Sequence, residues 1–127
     1  LKHRPYETRV LSNLGLALFS AGDLEQAIPT LQQVVATEPD AGVAQLALAS
    51  ALFDKRRDIR EGVSHARRAA ALLSSDPQAL VMLGRALAVS GELNEAARTV
   101  QHALDIDPNQ TDARELLLTI LRVAESP

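Results

Sequence analysis

At 127 residues and 13.6 kDa the chain has the size of one domain. A formal net charge of -3 with 23% charged residues excludes a chain too polar to bury a core. Aromatic residues make up 2% of the chain while leucine and alanine dominate, so the core must be packed from small aliphatic groups, which favours helices over sheets. The absence of cysteine excludes a disulfide scaffold, a thiolate zinc site and a cysteine nucleophile, and leaves the compartment open. The longest uncharged stretch, 41–53, is 13 residues, short of the about 18 to 20 a membrane-spanning helix needs, so no membrane insertion is expected. With Leu1 rather than Met at the start and no charged-then-apolar leader, the expectation is a piece of a longer chain. Arginine far outnumbers lysine, which together with the alanine content hints at a GC-rich bacterial source.

The first predicted helix, 6–21, carries Leu11, Leu14, Gly15 and Leu18 at i, i+3, i+4 and i+7, one stripe of a 3.6-residue period. Ala21-Gly22-Asp23 ends it: glycine suits the left-handed residue that closes a helix, and Asp23 can cap the next by accepting orphan backbone N–H bonds. The second helix, 24–37, has the stripe Leu24, Ala27, Ile28, Leu31 and Val35 and stops at Glu38-Pro39-Asp40. Pro29 lies inside it, where an interior proline costs about 3 kcal/mol; a bend near 25–29 with the helix continuing is the expectation.

The next two helices, 41–54 and 59–73, form a degenerate copy. Leu48 and Ala49 stand where the first unit has Leu14 and Gly15, one residue is inserted in the turn 54–60, and Gly62 and Ala66 take the slots of Ala27 and Leu31. Helices five and six, 77–90 and 93–106, restore the pattern: Leu80, Leu83, Gly84 and Leu87 repeat the first stripe 69 residues on. Gly91, Ala96, Val100 and Pro108 repeat Gly22, Ala27, Leu31 and Pro39 at the same shift. Ser90-Gly91-Glu92 and Asp107-Pro108-Asn109 repeat the two breaks. A seventh helix, 111–124, alternates Leu117, Leu118 and Leu121 with charged residues and reads as a helix with one wet side, covering the end of the stack.

Leu14-Gly15, Gly22, Ala27, Leu31 and Pro39 in residues 8–41, and Leu83-Gly84, Gly91, Ala96, Val100 and Pro108 in 77–110, resemble the tetratricopeptide repeat family, with 42–76 a weaker match. The family's bulky aromatic slots hold Leu11, Leu18, Leu80 and Leu87. The resemblance implies an all-α solenoid of three antiparallel helix pairs, wound as a right-handed superhelix, plus the C-terminal capping helix 111–124. Independently, a glycine inside an apolar stripe costs about 1 kcal/mol against alanine, which makes sense where two helices approach closely, as at Gly15 and Gly84.

The inventory does not point to catalysis. His3, His65 and His102 share no i, i+4 metal spacing, and there is no glycine-rich phosphate loop or nucleophile elbow, so no enzyme, no metal site and no cofactor are expected. The resemblance implies instead that the first helix of each pair lines a concave groove. That groove would present Arg9, Ser12, Leu16 and Phe19, then Val43, Leu46, Ser50 and Phe53, then Gln78, Val81, Arg85 and Ala88. Spacing supports a common face, rotated about 100° from the core stripe. Its apolar members either pack between neighbouring first helices or form a trough for a peptide.

Family members that grip a chaperone's terminal carboxylate use lysines and asparagines; the corresponding surface here offers Ser12, Leu16, Leu46, Ser50, Val81 and Arg85, of which only Arg85 could serve. Asn13 resembles the asparagine ladder of protein-glycosylating members, but Ala47 and Met82 occupy the next rungs. The middle repeat is net positive between acidic neighbours, and Arg56, Arg57 and Arg60 form either a solvated turn or a dock for an acidic partner. Nucleic acid is not expected, because the chain is acidic and no aromatic residues interleave with the arginines. The reading is a protein-interaction module within a larger protein, holding a peptide or protein partner in the concave groove. The competing role is structural: self-association into an oligomer, or bracing of an attached enzyme domain.

Overall fold

Two identical turns, 69 residues apart, set the scale of the architecture. Gly22 and Gly91 have φ of 82° and 86°, the left-handed region open to glycine at no steric cost. At the first, the Gly22 N–H donates to the Phe19 carbonyl at 3.0 Å and the Asp23 N–H to the Leu18 carbonyl at 2.9 Å. At the second, Gly91 donates to Ala88 at 3.1 Å and Glu92 to Leu87 at 2.9 Å. This is the paired closure that satisfies the last carbonyls of a helix. Each turn reverses the chain, so each repeat is a helical hairpin.

The computed structural model describes residues 5–55 and 58–125, and among them the regular structure is entirely helical. The helices are α1 Pro5–Ser20, α2 Leu24–Thr37, α3 Gly42–Lys55, α4 Ile59–Leu72, α5 Pro77–Val89, α6 Leu93–Ile106 and α7 Thr111–Glu125. Each differs from the sequence expectation by one residue or less at either end. The starts are held by local chemistry: Asp23 accepts from the Gln26 N–H at 3.3 Å, Asp58 from Glu61 at 3.0 Å and Asp76 from Gln78 at 2.9 Å. Pro77 occupies the first turn of α5, where its missing donor costs nothing. Glu92 differs from its counterpart Asp23 in making no side-chain cap bond; its extra methylene is the chemical difference between them.

Pro29 does not end α2, which runs unbroken to Thr37. Its ring is exposed, and Glu25, whose carbonyl loses the proline's donor, lies on the same wet side where water can reach it.

Consecutive helices pack in order, α1 on α2 through α6 on α7, and the core forms two clusters that meet at α3. Ala27, Ile28, Leu31 and Val34 of α2 close on Leu48 and Leu52 of α3. Ala49 of α3 joins instead the cluster of Ala66, Leu80, Leu83, Leu87, Ala96, Val100 and Ile120. Full burial of each large aliphatic side chain contributes about 1.5–3 kcal/mol. The glycine notches lie at the closest helix crossings. A methyl on Gly15 would stand 2.8 Å from Cδ2 of Leu31, and one on Gly84 would overlap Cγ2 of Val100. Ala27 and Ala96, on the partner helices, are fully buried.

Two apolar stripes depart from the sequence reading. Leu14 is 47% exposed although its repeat mate Leu83 is 8% exposed. The reason is positional: α5 is sandwiched between α4 and α6, whereas among the described residues α1 has neighbours only on the α2 and α3 side. On α7 the residues facing the stack are Ala113, Ile120 and, half-buried, Leu116 and Leu117, while Leu118 and Leu121 point outward.

Candidate functional site

The first helices of successive hairpins touch one another, α1 with α3, α3 with α5 and α5 with α7. The second helices do not approach each other closely through the backbone. Long side chains bridge them: Gln32 Nε2 donates to Glu61 at 3.2 Å and Arg67 to Glu95 through two bonds of 2.6 and 2.9 Å, while Arg68 of α4 donates to Asp40 in the turn after α2 at 2.6 Å. The forked pairing with Arg67 holds the Glu95 carboxyl below the usual carboxylate range and raises the Arg67 guanidinium. A stack whose first helices touch and whose second helices are spread must curve, with the first helices on the inside.

That inner surface holds a trough of about 410 Å³. Leu16 and Phe19 come from α1, Val43, Leu46, Ala47 and Ser50 from α3, Gln78, Val81, Met82 and Arg85 from α5, and Asp112 from α7. Val43 stands on the rim at 57% exposure, while Val81, at 4%, forms the floor. The Ser50 hydroxyl is directed at the Met82 sulfur, 3.2 Å away, which partly satisfies the polar group in the middle of the surface. Charge is confined to Arg85 and Asp112, one of each sign.

Eight of the twelve groove residues expected from sequence therefore line one depression. Arg9 and Ser12 do not, although they lie on the same helix as Leu16 and Phe19. Phe53 turns away: its ring packs against Gly62, where an added methyl would lie 2.8 Å from Cε2, and it borders a separate recess with Ile59, Arg85 and Val89. Gly62 stands where the first repeat has Ala27, and the missing methyl admits the ring. Ala88 packs into the core. Ala47, Met82 and Asp112 were missed as lining residues. A signal existed for each: Ala47 and Met82 occupy the ladder rungs after Asn13, and Asp112 falls where one more 34-residue step carries Gln78.

The remaining candidates have plainer roles. His65 bonds Gln45 Oε1 through Nδ1 at 2.6 Å and stands 3.4 Å from Glu61, while Gln45 donates to the Pro39 carbonyl at 2.9 Å, so this histidine braces the turn between repeats. His102 is exposed. Among the described residues no three His, Asp or Glu side chains gather as a metal site, and no helix is long and apolar enough to cross a membrane. Arg56 and Arg57 lie outside the described residues; Arg60 is exposed.

A profile described as Tetratricopeptide repeat matches residues 12–58 and 53–111, well over half of the sequence. The chain belongs to the tetratricopeptide repeat family. Solved structures agree on the tetratricopeptide fold. The first such domain of Spaghetti (RPAP3), bound to the HSP90 peptide SRMEEVD, is 25% identical with a TM-score of 0.86, covering 97% of both chains. The second domain of human RPAP3, in complex with the HSP70 peptide SGPTIEEVD, is 23% identical at a TM-score of 0.82, covering 93% of this chain and 98% of that one. MamA from Desulfovibrio magneticus RS-1 is 21% identical at 0.83, covering 93% and 67%. A search of curated protein sequences finds no significant match. The tetratricopeptide fold is a protein-interaction scaffold, and its repeat here explains why the glycines of α1 and α5 stand against Leu31 of α2 and Val100 of α6.

Proposed function

We propose that the chain is a protein-interaction module whose concave trough holds a peptide segment of a partner. The observation that carries this reading is an open and largely apolar trough built from three successive first helices, in which Val43 is exposed and Leu16, Phe19 and Leu46, packed on their inner sides against the core clusters, stay half-open to solvent. Exposed contiguous apolar surface on a folded chain usually marks an interaction site. The RPAP3 domain of the same fold, with a peptide bound, supports the reading.

The test is selection of peptides from a random display library on the immobilised chain, followed by titration of those peptides. Binding is expected to weaken at least about tenfold, or about 1.4 kcal/mol, in Val43→Glu. Val43 is exposed, so this change leaves the helical circular-dichroism signal in place. Selected peptides that bind Val43→Glu unchanged would remove the trough as the site.

A second role, self-assembly, draws support from a different surface: Val10 and Leu14 at one end of the stack and Leu118 and Leu121 at the other are exposed. Light scattering separates the two. A monomer at every concentration leaves the trough as the working surface, while an oligomer dissolved by Leu14→Glu with Leu118→Glu assigns the work to the ends.

A further inference from the structure

We infer that the trough takes an uncharged apolar segment from the interior of a partner chain and rejects an acidic chain terminus; this rests on the trough being the binding surface. Recognition of a terminus rich in carboxylates needs several cationic or amide donors converging on it. The lining here supplies one cation, Arg85, and one carboxylate, Asp112, so its formal charge sums to zero. The other polar members are Gln78 and Ser50, and Ser50 is directed at the Met82 sulfur, 3.2 Å away. The middle of the surface therefore offers an anion a single hydroxyl donor, Ser50, already directed at a thioether. The chain as a whole carries a formal net charge of -3, which repels an acidic peptide before contact.

What remains is a surface complementary to apolar side chains. Leu16 and Phe19 stand beside Val43 and Leu46, and Val81 with Met82 continues the floor. Methionine adapts to side chains of differing shape, so the floor can admit aliphatic and aromatic residues alike. Polarity rises along the trough: apolar on α1, apolar but for Ser50 on α3, and carrying Gln78, Arg85 and Asp112 beside Val81 and Met82 on α5 and α7. A segment bound along it would set its apolar residues against α1 and α3 and leave backbone carbonyls and amides for Gln78, Arg85 and Asp112. A free carboxylate is not required for any of these contacts.

The experiment uses the displayed peptides together with a synthetic SRMEEVD peptide as the acidic probe, titrated by fluorescence anisotropy against the whole chain. The selected peptides are expected to be rich in Leu, Ile, Met or Phe with net charge near zero, and to bind equally with amidated C-termini. Their affinity should change by less than about threefold between about 0.01 M and about 1 M salt, over which the Debye length falls from about 30 Å to about 3 Å. The acidic probe should bind at least about tenfold more weakly than the selected set. Selected peptides that are acidic, that lose binding on amidation, or that weaken steeply with salt while remaining sensitive to Val43→Glu would overturn this inference and leave the trough as the site. Peptides insensitive to both Val43→Glu and Val43→Ser would place binding elsewhere, and both readings would fall.

Discussion

Leu14 and Leu83 occupy the same place in the repeat and carry different energies. Leu83 is closed in by α4 and α6, so Leu83→Ala removes its transfer energy and leaves a cavity, and a loss of about 2–5 kcal/mol is expected in chemical denaturation. Leu14 is half in water, and Leu14→Ala should cost less than about 1 kcal/mol in the same measurement. Equal losses at the two sites would mean that the outer face of α1 is covered in solution. The glycines show the same dependence on neighbours. Gly15 faces the far end of a leucine side chain, which can swing aside, whereas Gly84 faces a branched valine fixed close to its backbone.

Among the elements, α2 is the one whose sequence argues against its own structure. Proline at its sixth position removes one backbone bond and crowds the preceding turn, yet the helix persists because Ala27, Ile28, Leu31 and Val34 bury a continuous stripe against α1 and α3. Tertiary packing outweighs the local penalty. Because the chain already follows helical geometry through this point, Pro29→Ala should raise the midpoint of thermal unfolding. The expected gain is about 2–2.6 kcal/mol: the full interior-proline cost of about 3, offset by about 0.4–1 of lost rigidity in the unfolded chain. A fall in stability would show that the proline sets a geometry on which neighbouring contacts depend. The boundaries of α2 were legible in the sequence because they are fixed by two local devices, the Asp23 cap and the Glu38-Pro39 stop. The outward face of α7 was not legible, since a run of Leu116, Leu117 and Leu118 fits more than one stripe and only contact with α5 and α6 selects among them.

At the scale of the whole molecule, curvature comes from unequal spacing: first helices in contact, second helices bridged by polar side chains. The Arg67–Glu95 fork is one such bridge, and it makes stability depend on pH in a defined direction. Glu95 binds its proton less readily when folded than when unfolded, so its contribution is full above the ordinary carboxylate pKa of about 4.3 and is lost as pH falls through the lower folded value. Thermal melts of the wild-type chain and of Glu95→Gln should therefore differ near neutral pH and converge in acid. The bridge is exposed, so the difference is expected to be small and to shrink further at high salt. A gap that widens as pH falls would contradict this assignment.

The sequence by itself determined the hairpins, because helix stripes, caps and left-handed turns are encoded by residues within one or two turns of each other. It also determined their stacking, because notches such as Gly15 and Gly84 recur at matched heights. Only the tertiary structure decided which apolar residues stay wet. Leu14 is left open because, among the described residues, no helix covers its outer side; Phe53 is drawn off the trough by the space at Gly62, and Asp112 is brought into the same depression as Arg85 by the placement of α7. Each of these depends on a neighbour distant in the chain, and a side chain's exposure is a property of that neighbour as much as of its own helix.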